Sequence, residues 1–123
     1  MKDQRTIGLK KECLFCDIAE GKKGEKIVAQ NERYLAFPDA NPSAPVHLLI
    51  IPRVHIGING GAEEKKHALD GILSFAREVA KKMGIGSSYK LLVNAGYSAT
   101  KTPDHVHVHL VGGWKSPTEV RHI

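Results

Sequence analysis

His105-Val106-His107-Val108-His109-Leu110-Val111 places an imidazole at every second position and an apolar side chain between each pair. Side chains along a strand alternate with a period of two. The run therefore predicts a strand with three imidazoles on one face and Val106, Val108 and Leu110 on the other. One face packs and the other is left for chemistry. Neighbouring imidazoles on such a face stand ~6.5–7 Å apart, so two of them can contact one phosphate-sized group. Near neutral pH an imidazole is a nucleophile or a proton donor, and attack on phosphorus is a natural use of several together. A three-histidine metal site, or three ordinary strand residues, fits the triplet equally well.

Working outward from this run, residues 89–93 read as a strand, joined to it by a polar loop over 94–104 that contains Gly96 and Pro103. Upstream, Leu69, Ile72, Leu73, Ala76, Val79, Ala80 and Met83 recur at helical spacing. Glu63 and Glu64 stand early and Lys81 and Lys82 late, which predicts a main helix over 62–83 stopped by Gly84. Residues 46–51 form a nearly continuous apolar run between Pro45 and Pro52, a central strand with His47 as its polar exception. Two short β-favouring runs, 27–30 and 34–37, flank the turn-like Asn31-Glu32-Arg33 and read as a hairpin that Pro38 closes. Leu14, Phe15 and Ile18 share the face of a short helix ending near Gly21.

These elements add up to an α+β domain: a five-stranded, largely antiparallel sheet with one long and one short helix. Except across the main helix, the connections are too short for a parallel crossover. The chain divides into a flexible basic arm over 1–12, one domain over 13–114 and a tail over 115–123. At 123 residues it can bury its own core without disulfide support.

The chain carries 18 Lys and Arg against 13 Asp and Glu, a formal charge of +5 that favours anionic partners. Much of the excess lies in Lys2, Arg5, Lys10, Lys11, Lys22, Lys23 and Lys26, without aromatic residues at a stacking spacing. That pattern fits a solvated tail and argues against a nucleic-acid surface. No apolar stretch has the length of a membrane span, and the polar N-terminus lacks the hydrophobic core of a secretory signal. A cytoplasmic protein is expected. The two cysteines, Cys13 and Cys16, form a C-x-x-C pair, which in a reducing compartment points to metal or redox chemistry.

The run His105 to His109, followed by Leu110-Val111, resembles the H-x-H-x-H-x-x signature of the histidine triad family. Other segments agree in order: Leu35-Ala36-Phe37-Pro38-Asp39, Ala44-Pro45-Val46-His47, Ile51-Pro52-Arg53-Val54-His55-Ile56 and Asn94-Ala95-Gly96. The likeness spans residues 13–113 and is nearest to the Hint branch. It implies a homodimer with one site per subunit for a purine nucleotide or another nucleotidyl small molecule. It also implies a hydrolase of nucleoside phosphoramidates or related compounds, acting at the α-phosphate.

By that resemblance His107 attacks phosphorus to give a nucleotidyl-histidine that water then hydrolyses. His109 holds phosphate oxygens, and His47 helps hold the phosphate or the leaving group. Asn94 and Thr102 match polar positions of the phosphate loop, Thr102 standing where the Hint branch commonly has Ser. Lys101 replaces the usual glutamine and places a cation near the leaving group, while Pro103 and Asp104 replace an apolar-aromatic pair. Asp39 matches the residue that accepts hydrogen bonds from the ribose hydroxyls. Leu14, Phe15, Ile18, Phe37 and Ala40 match positions lining the base pocket, although apolar residues at such spacing also serve as plain core.

Many bacterial members use a C-x-x-C, the histidine of the I-P-x-x-H segment and the first triad histidine to bind a structural zinc. Here those residues are Cys13, Cys16, His55 and His105, a set suited to tetrahedral Zn²⁺. A reduced or redox-active C-x-x-C beside a surface His55 is the alternative. For function, the alternatives are a dinucleoside polyphosphate hydrolase or nucleotidyl transferase of the same family, and a nucleotide-sensing module without turnover.

Overall fold

The computed structural model describes residues 14–21, 26–57, 62–93 and 105–116. Cys13, Asn94, Lys101 and Thr102, like the basic arm and most of the C-terminal tail, lie outside the described residues.

The sheet has five strands in the order β1-β2-β3-β5-β4, and every pairing is antiparallel. β1 (Ala29–Gln30) and β2 (Tyr34–Pro38) form the expected hairpin, and Asn31 shapes its turn. The Asn31 Oδ1 accepts from the backbone N–H groups of Arg33 and Tyr34, both at 2.8 Å. Such a side-chain turn satisfies donors that the strands leave unpaired. β3 (Val46–Pro52) lies centrally between β2 and β5 (Val108–Gly112), and β4 (Tyr89–Val93) closes the far edge.

The alternation of side chains explains why β3 is apolar almost throughout. Tyr34, Ala36, Leu48, Ile50, Val108 and Leu110 share one core cluster with the helical residues Ile72, Phe75, Ala76, Val79 and Ala80. Leu35, Phe37, Leu49 and Ile51 face the other way and pack with Phe15, Cys16 and Ile18 of α1 (Leu14–Ala19). The middle of the sheet is thus covered on both faces, and both residue parities in β3 must be hydrophobic. Each large side chain buried here contributes about 1.5–3 kcal/mol.

The main helix differs from a single run over 62–83. It consists of α2 (Ala62–Leu69) and α3 (Ile72–Lys82), bent where Gly71 takes φ 90°. The carbonyls released at the bend are taken up by β2 and its turn. Arg33 donates to the carbonyls of Asp70 at 2.7 Å and His67 at 2.6 Å, and the Tyr34 hydroxyl reaches the carbonyl of Ala68 at 2.8 Å. Left-handed backbone favours glycine, and the neighbouring donors make this bend inexpensive. α3 ends at Lys82 with Met83 as its cap, just before Gly84 as expected, but Leu73 lies off the packed face and is 69% exposed.

A second difference concerns the histidine run. The strand begins at Val108 and not at His105, because the preceding residues bond outside the ladder. The Val106 N–H donates to the Ile56 carbonyl at 2.7 Å, and the His105 ring donates to the Pro52 carbonyl at 3.0 Å. His105 and His107 therefore sit in the segment leading into β5, with only His109 in the ladder, opposite Leu49 and Leu92.

Candidate functional site

This change of partners sets His105 apart from His107 and His109. His109 stands diagonally across from His47 of β3, with His47 Nε2 and His109 Nδ1 at 2.9 Å. The backbone N–H of Ser43 donates to His47 Nδ1 at 2.8 Å. That nitrogen is an acceptor, so the hydrogen of neutral His47 is on Nε2 and is given to His109. His109 then keeps its own hydrogen on Nε2, leaving that nitrogen as a donor.

Asp39 follows β2, where its N–H donates to the His47 carbonyl at 3.0 Å and carries the pairing one residue past the strand. Its Oδ1 accepts from the Asn41 N–H at 2.7 Å. Its Oδ2 stands 3.4 Å from His47 Nε2 and 3.8 Å from His109 Nδ1. Burial lowers the pKa of His109 to about 4, helped by its neighbours His107 and His47 and opposed by Asp39. Burial also lowers that of His47, against the pull of Asp39. Desolvation outweighs the carboxylate at both, and both imidazoles are neutral at pH 7.

His107 is buried and makes a different contact. Its Nδ1–H donates to the carbonyl of His105 at 2.8 Å, which leaves Nε2 with its lone pair. The ring is held between two others: Phe15 at 5.3 Å and 80°, and His109 at 5.3 Å and 73°. Phe15 also packs edge-on against Phe37 at 5.8 Å and His105 at 5.9 Å.

His105 turns to a second group. Cys16 Sγ lies 3.2 Å from His55 Nδ1 and 3.5 Å from His105 Nδ1, and all three residues are buried. In a tetrahedral zinc site with ordinary Zn–S and Zn–N lengths, sulfur and nitrogen ligands stand about 3.6 Å apart. The present spacing is near that value. His105 donates its Nε2–H to the Pro52 carbonyl, the tautomer that turns the Nδ1 lone pair toward the cysteine.

Asp39, His47 and His109 also bring three potential ligand atoms within 4.8 Å of one another. There the tautomer is wrong for a metal: the Ser43 N–H occupies Nδ1, and the hydrogen on Nε2 points into the group. In the group around Cys16, by contrast, the His105 tautomer leaves a lone pair directed at the sulfur.

The structure thus brings His47, His107, His109 and Asp39 together, and separately Cys16, His55 and His105. Phe15, Ile18 and Phe37 are buried in the cluster on the same face of the sheet, whereas Ala40 is exposed in the bend after Asp39. The Leu14 side chain, with Cys13, Asn94, Lys101 and Thr102, lies outside the described residues. Sequence reasoning missed the backbone groups of Ser43, Pro52 and Ile56, which orient the imidazoles. A main-chain donor or acceptor is common to nearly every residue and leaves no mark in the sequence.

Residues 12–121 match a family model described as "Scavenger mRNA decapping enzyme C-term binding". The chain is 40% identical over 103 residues to a 14 kDa zinc-binding protein of Zea mays, covering 81% of this chain and 80% of that one. It is 34% identical over 90 residues to the adenylylsulfatase HINT1 of Arabidopsis thaliana, covering 71% of this chain and 61% of that protein. The crystal structure of a HIT family hydrolase from Legionella pneumophila Philadelphia 1 superposes with a TM-score of 0.76 at 38% identity, covering 85% of this chain and 95% of that one.

Proposed function

The chain belongs to the histidine triad family, near its Hint branch, and we propose that it hydrolyses nucleoside phosphoramidates or related nucleotidyl compounds at the α-phosphate through a nucleotidyl-His107 intermediate. Similarity to proteins named HIT family hydrolase and adenylylsulfatase supports a nucleotide hydrolase at the level of the family. The observation that carries the assignment of His107 is its hydrogen bond to the His105 carbonyl. With Nδ1–H committed, the Nε2 lone pair is the nucleophile and needs no base to release it.

In the first step a bond forms between His107 Nε2 and the α-phosphorus while the bond from phosphorus to the leaving group breaks, and the leaving group departs with its electron pair and takes up a proton from solvent. In the second step water attacks phosphorus and gives up a proton to solvent, the P–Nε2 bond breaks with its electron pair returning to Nε2, and nucleoside monophosphate is released. His109 offers Nε2–H to the phosphate oxygens. His47, whose own Nε2–H is given to His109, acts by holding that ring in position. Asp39 is assigned to the ribose, which requires its Oδ2 to exchange the two imidazoles for hydroxyl donors. Phe15, Ile18 and Phe37 are assigned to the base side, and Ala40 and Leu14 are assigned to it from the sequence resemblance alone. Asn94, Lys101 and Thr102 are assigned to the phosphates and the leaving group.

A zinc ion held by Cys13, Cys16, His55 and His105 belongs to the same reading, supported by the convergence of the ligand atoms of the last three, by the His105 tautomer and by the name of the maize relative. The metal supplies a structural crosslink between α1 and the segments that flank β3 and β5. Two copies of the chain are proposed to pair, which the exposed apolar side chains Leu73 and Val93 support. No described helix is long and apolar enough to cross a membrane.

The test is to mix the protein with adenosine phosphoramidate, diadenosine polyphosphate and adenylated lysine in turn, quench early and map any nucleotidyl adduct by mass spectrometry. An adduct on His107, with turnover falling at least about 10³-fold in His107→Ala while nucleoside monophosphate still binds, is the expected result. Turnover by His107→Ala at the parent rate overturns the mechanism.

A further inference from the structure

The two groups of histidines are joined at one peptide unit, the one linking His105 to Val106. Its carbonyl accepts the Nδ1–H of His107 at 2.8 Å, and its N–H donates to the Ile56 carbonyl at 2.7 Å. Each end leads into the Cys16 group. His105, which supplies the carbonyl, has its ring fully buried, with Nδ1 at 3.5 Å from Cys16 Sγ and Nε2 bonded to Pro52. Ile56, which holds the N–H, directly follows His55, whose Nδ1 is 3.2 Å from the same sulfur. The third member has a link of its own: Phe15, next to Cys16 in α1, packs edge-on against both the His105 and His107 rings.

We propose that His105 is a positioning residue for the reaction: a metal bound at Cys16, His55 and His105 fixes the peptide between His105 and Val106, and through its carbonyl the ring orientation of His107. This rests on the readings of His107 as nucleophile and of the Cys16 group as a zinc site. A metal ligated by both imidazoles sets the distance between the His55 and His105 segments, and that distance determines the plane of the pinned peptide. Without the metal, the two segments are held only by the sulfur contacts at 3.2 and 3.5 Å and by the hydrogen bonds to Pro52 and Ile56, and the peptide gains freedom to rotate. The carbonyl then turns from His107, whose hydrogen redistributes between its nitrogens. Asp39, whose side-chain contacts are with Asn41, His47 and His109, touches neither segment, so the loss falls on kcat more than on KM. Outer hydrogen bonds of this kind are typically worth 10- to 100-fold.

The experiment uses full-length protein with ¹⁵N-labelled histidine, zinc content measured by elemental analysis, and long-range ¹H–¹⁵N spectra at one fixed pH in zinc-loaded, zinc-stripped and cadmium-loaded forms. With zinc, His107 is expected as a single Nδ1–H tautomer. Without it, the two nitrogen signals move toward an average, kcat falls roughly 10-fold or more, and KM stays within about 2-fold. Cadmium, a larger ion, keeps the crosslink but shifts the His107 signals from their zinc positions. His107 signals that coincide in all forms that bind metal, and in the stripped form, overturn the coupling while leaving the nucleophile and the metal site standing. If the stripped protein loses its far-UV circular dichroism, the zinc and cadmium forms decide, and coincident His107 signals in those two overturn it. Failure to take up either metal overturns the zinc reading, and the coupling with it.

Discussion

His47 Nε2 lies 2.9 Å from His109 Nδ1, and the backbone N–H of Ser43 on the far side of the His47 ring fixes which of the two histidines donates. The direction of this hydrogen bond makes His109 a donor at Nε2. Replacing His47 with alanine removes the donor to Nδ1 and lets the hydrogen of His109 occupy either nitrogen. His47→Ala is expected to lower kcat by about 10²-fold while KM changes little, as fits a group acting on the transition state through its neighbour. Steady-state kinetics on a phosphoramidate check this, and a pure KM effect would assign His47 to ground-state binding.

Acid should destabilise the fold before its carboxylates titrate. The pKa of His109 is lowered from the usual 6.5 to about 4, chiefly by burial, and that of His47 moves in the same direction. As the pH falls below about 6.5, unfolded chains take up protons that the folded protein refuses, so stability present above that pH is lost toward about 4. The thermal midpoint should drop across this window, and His109→Gln should flatten the drop. A His109→Gln profile parallel to that of the parent would show that the titrating groups lie elsewhere.

Protein purified gently and without chelators should carry about one zinc per chain, and its removal should lower the thermal midpoint by at least about 5 °C, since the metal binds only the folded arrangement. Elemental analysis and calorimetry with and without a strong chelator measure both quantities. Cys16→Ser should show the lowered midpoint before any chelator is added. Absence of metal in the parent counts directly against the ligand set.

Lys101 lies outside the described residues, and its role is read from sequence alone. A cation in the phosphate loop stabilises a polyphosphate leaving group more than an amine. Lys101→Gln is expected to reduce kcat/KM for dinucleoside polyphosphates more than for phosphoramidates, with the gap narrowing as salt is added. Equal losses on the two substrates would make Lys101 a solvated loop residue.

The residue pattern determined the sheet, its antiparallel pairing and the short helix, while the sorting of the histidines into two groups came from the resemblance to the histidine triad family. Binary patterning and the punctuation by Asn31, Pro38, Pro52, Gly21 and Gly84 are local signals, and the backbone obeys them wherever burial agrees. Tertiary structure decided three things that local pattern cannot hold. It bent the helix at Gly71, because Arg33 and Tyr34, distant in sequence, accept the cost by hydrogen-bonding the freed carbonyls. It started β5 at Val108 and sent His105 away from His109, because the carbonyls of Pro52 and Ile56 bond the ring of one residue and the N–H of the next. It also chose the tautomers: a Ser43 N–H makes His47 a donor, and a His105 carbonyl frees Nε2 of His107. Side-chain identity is written in the chain, but the position of a hydrogen on an imidazole depends on which backbone group the fold brings beside it.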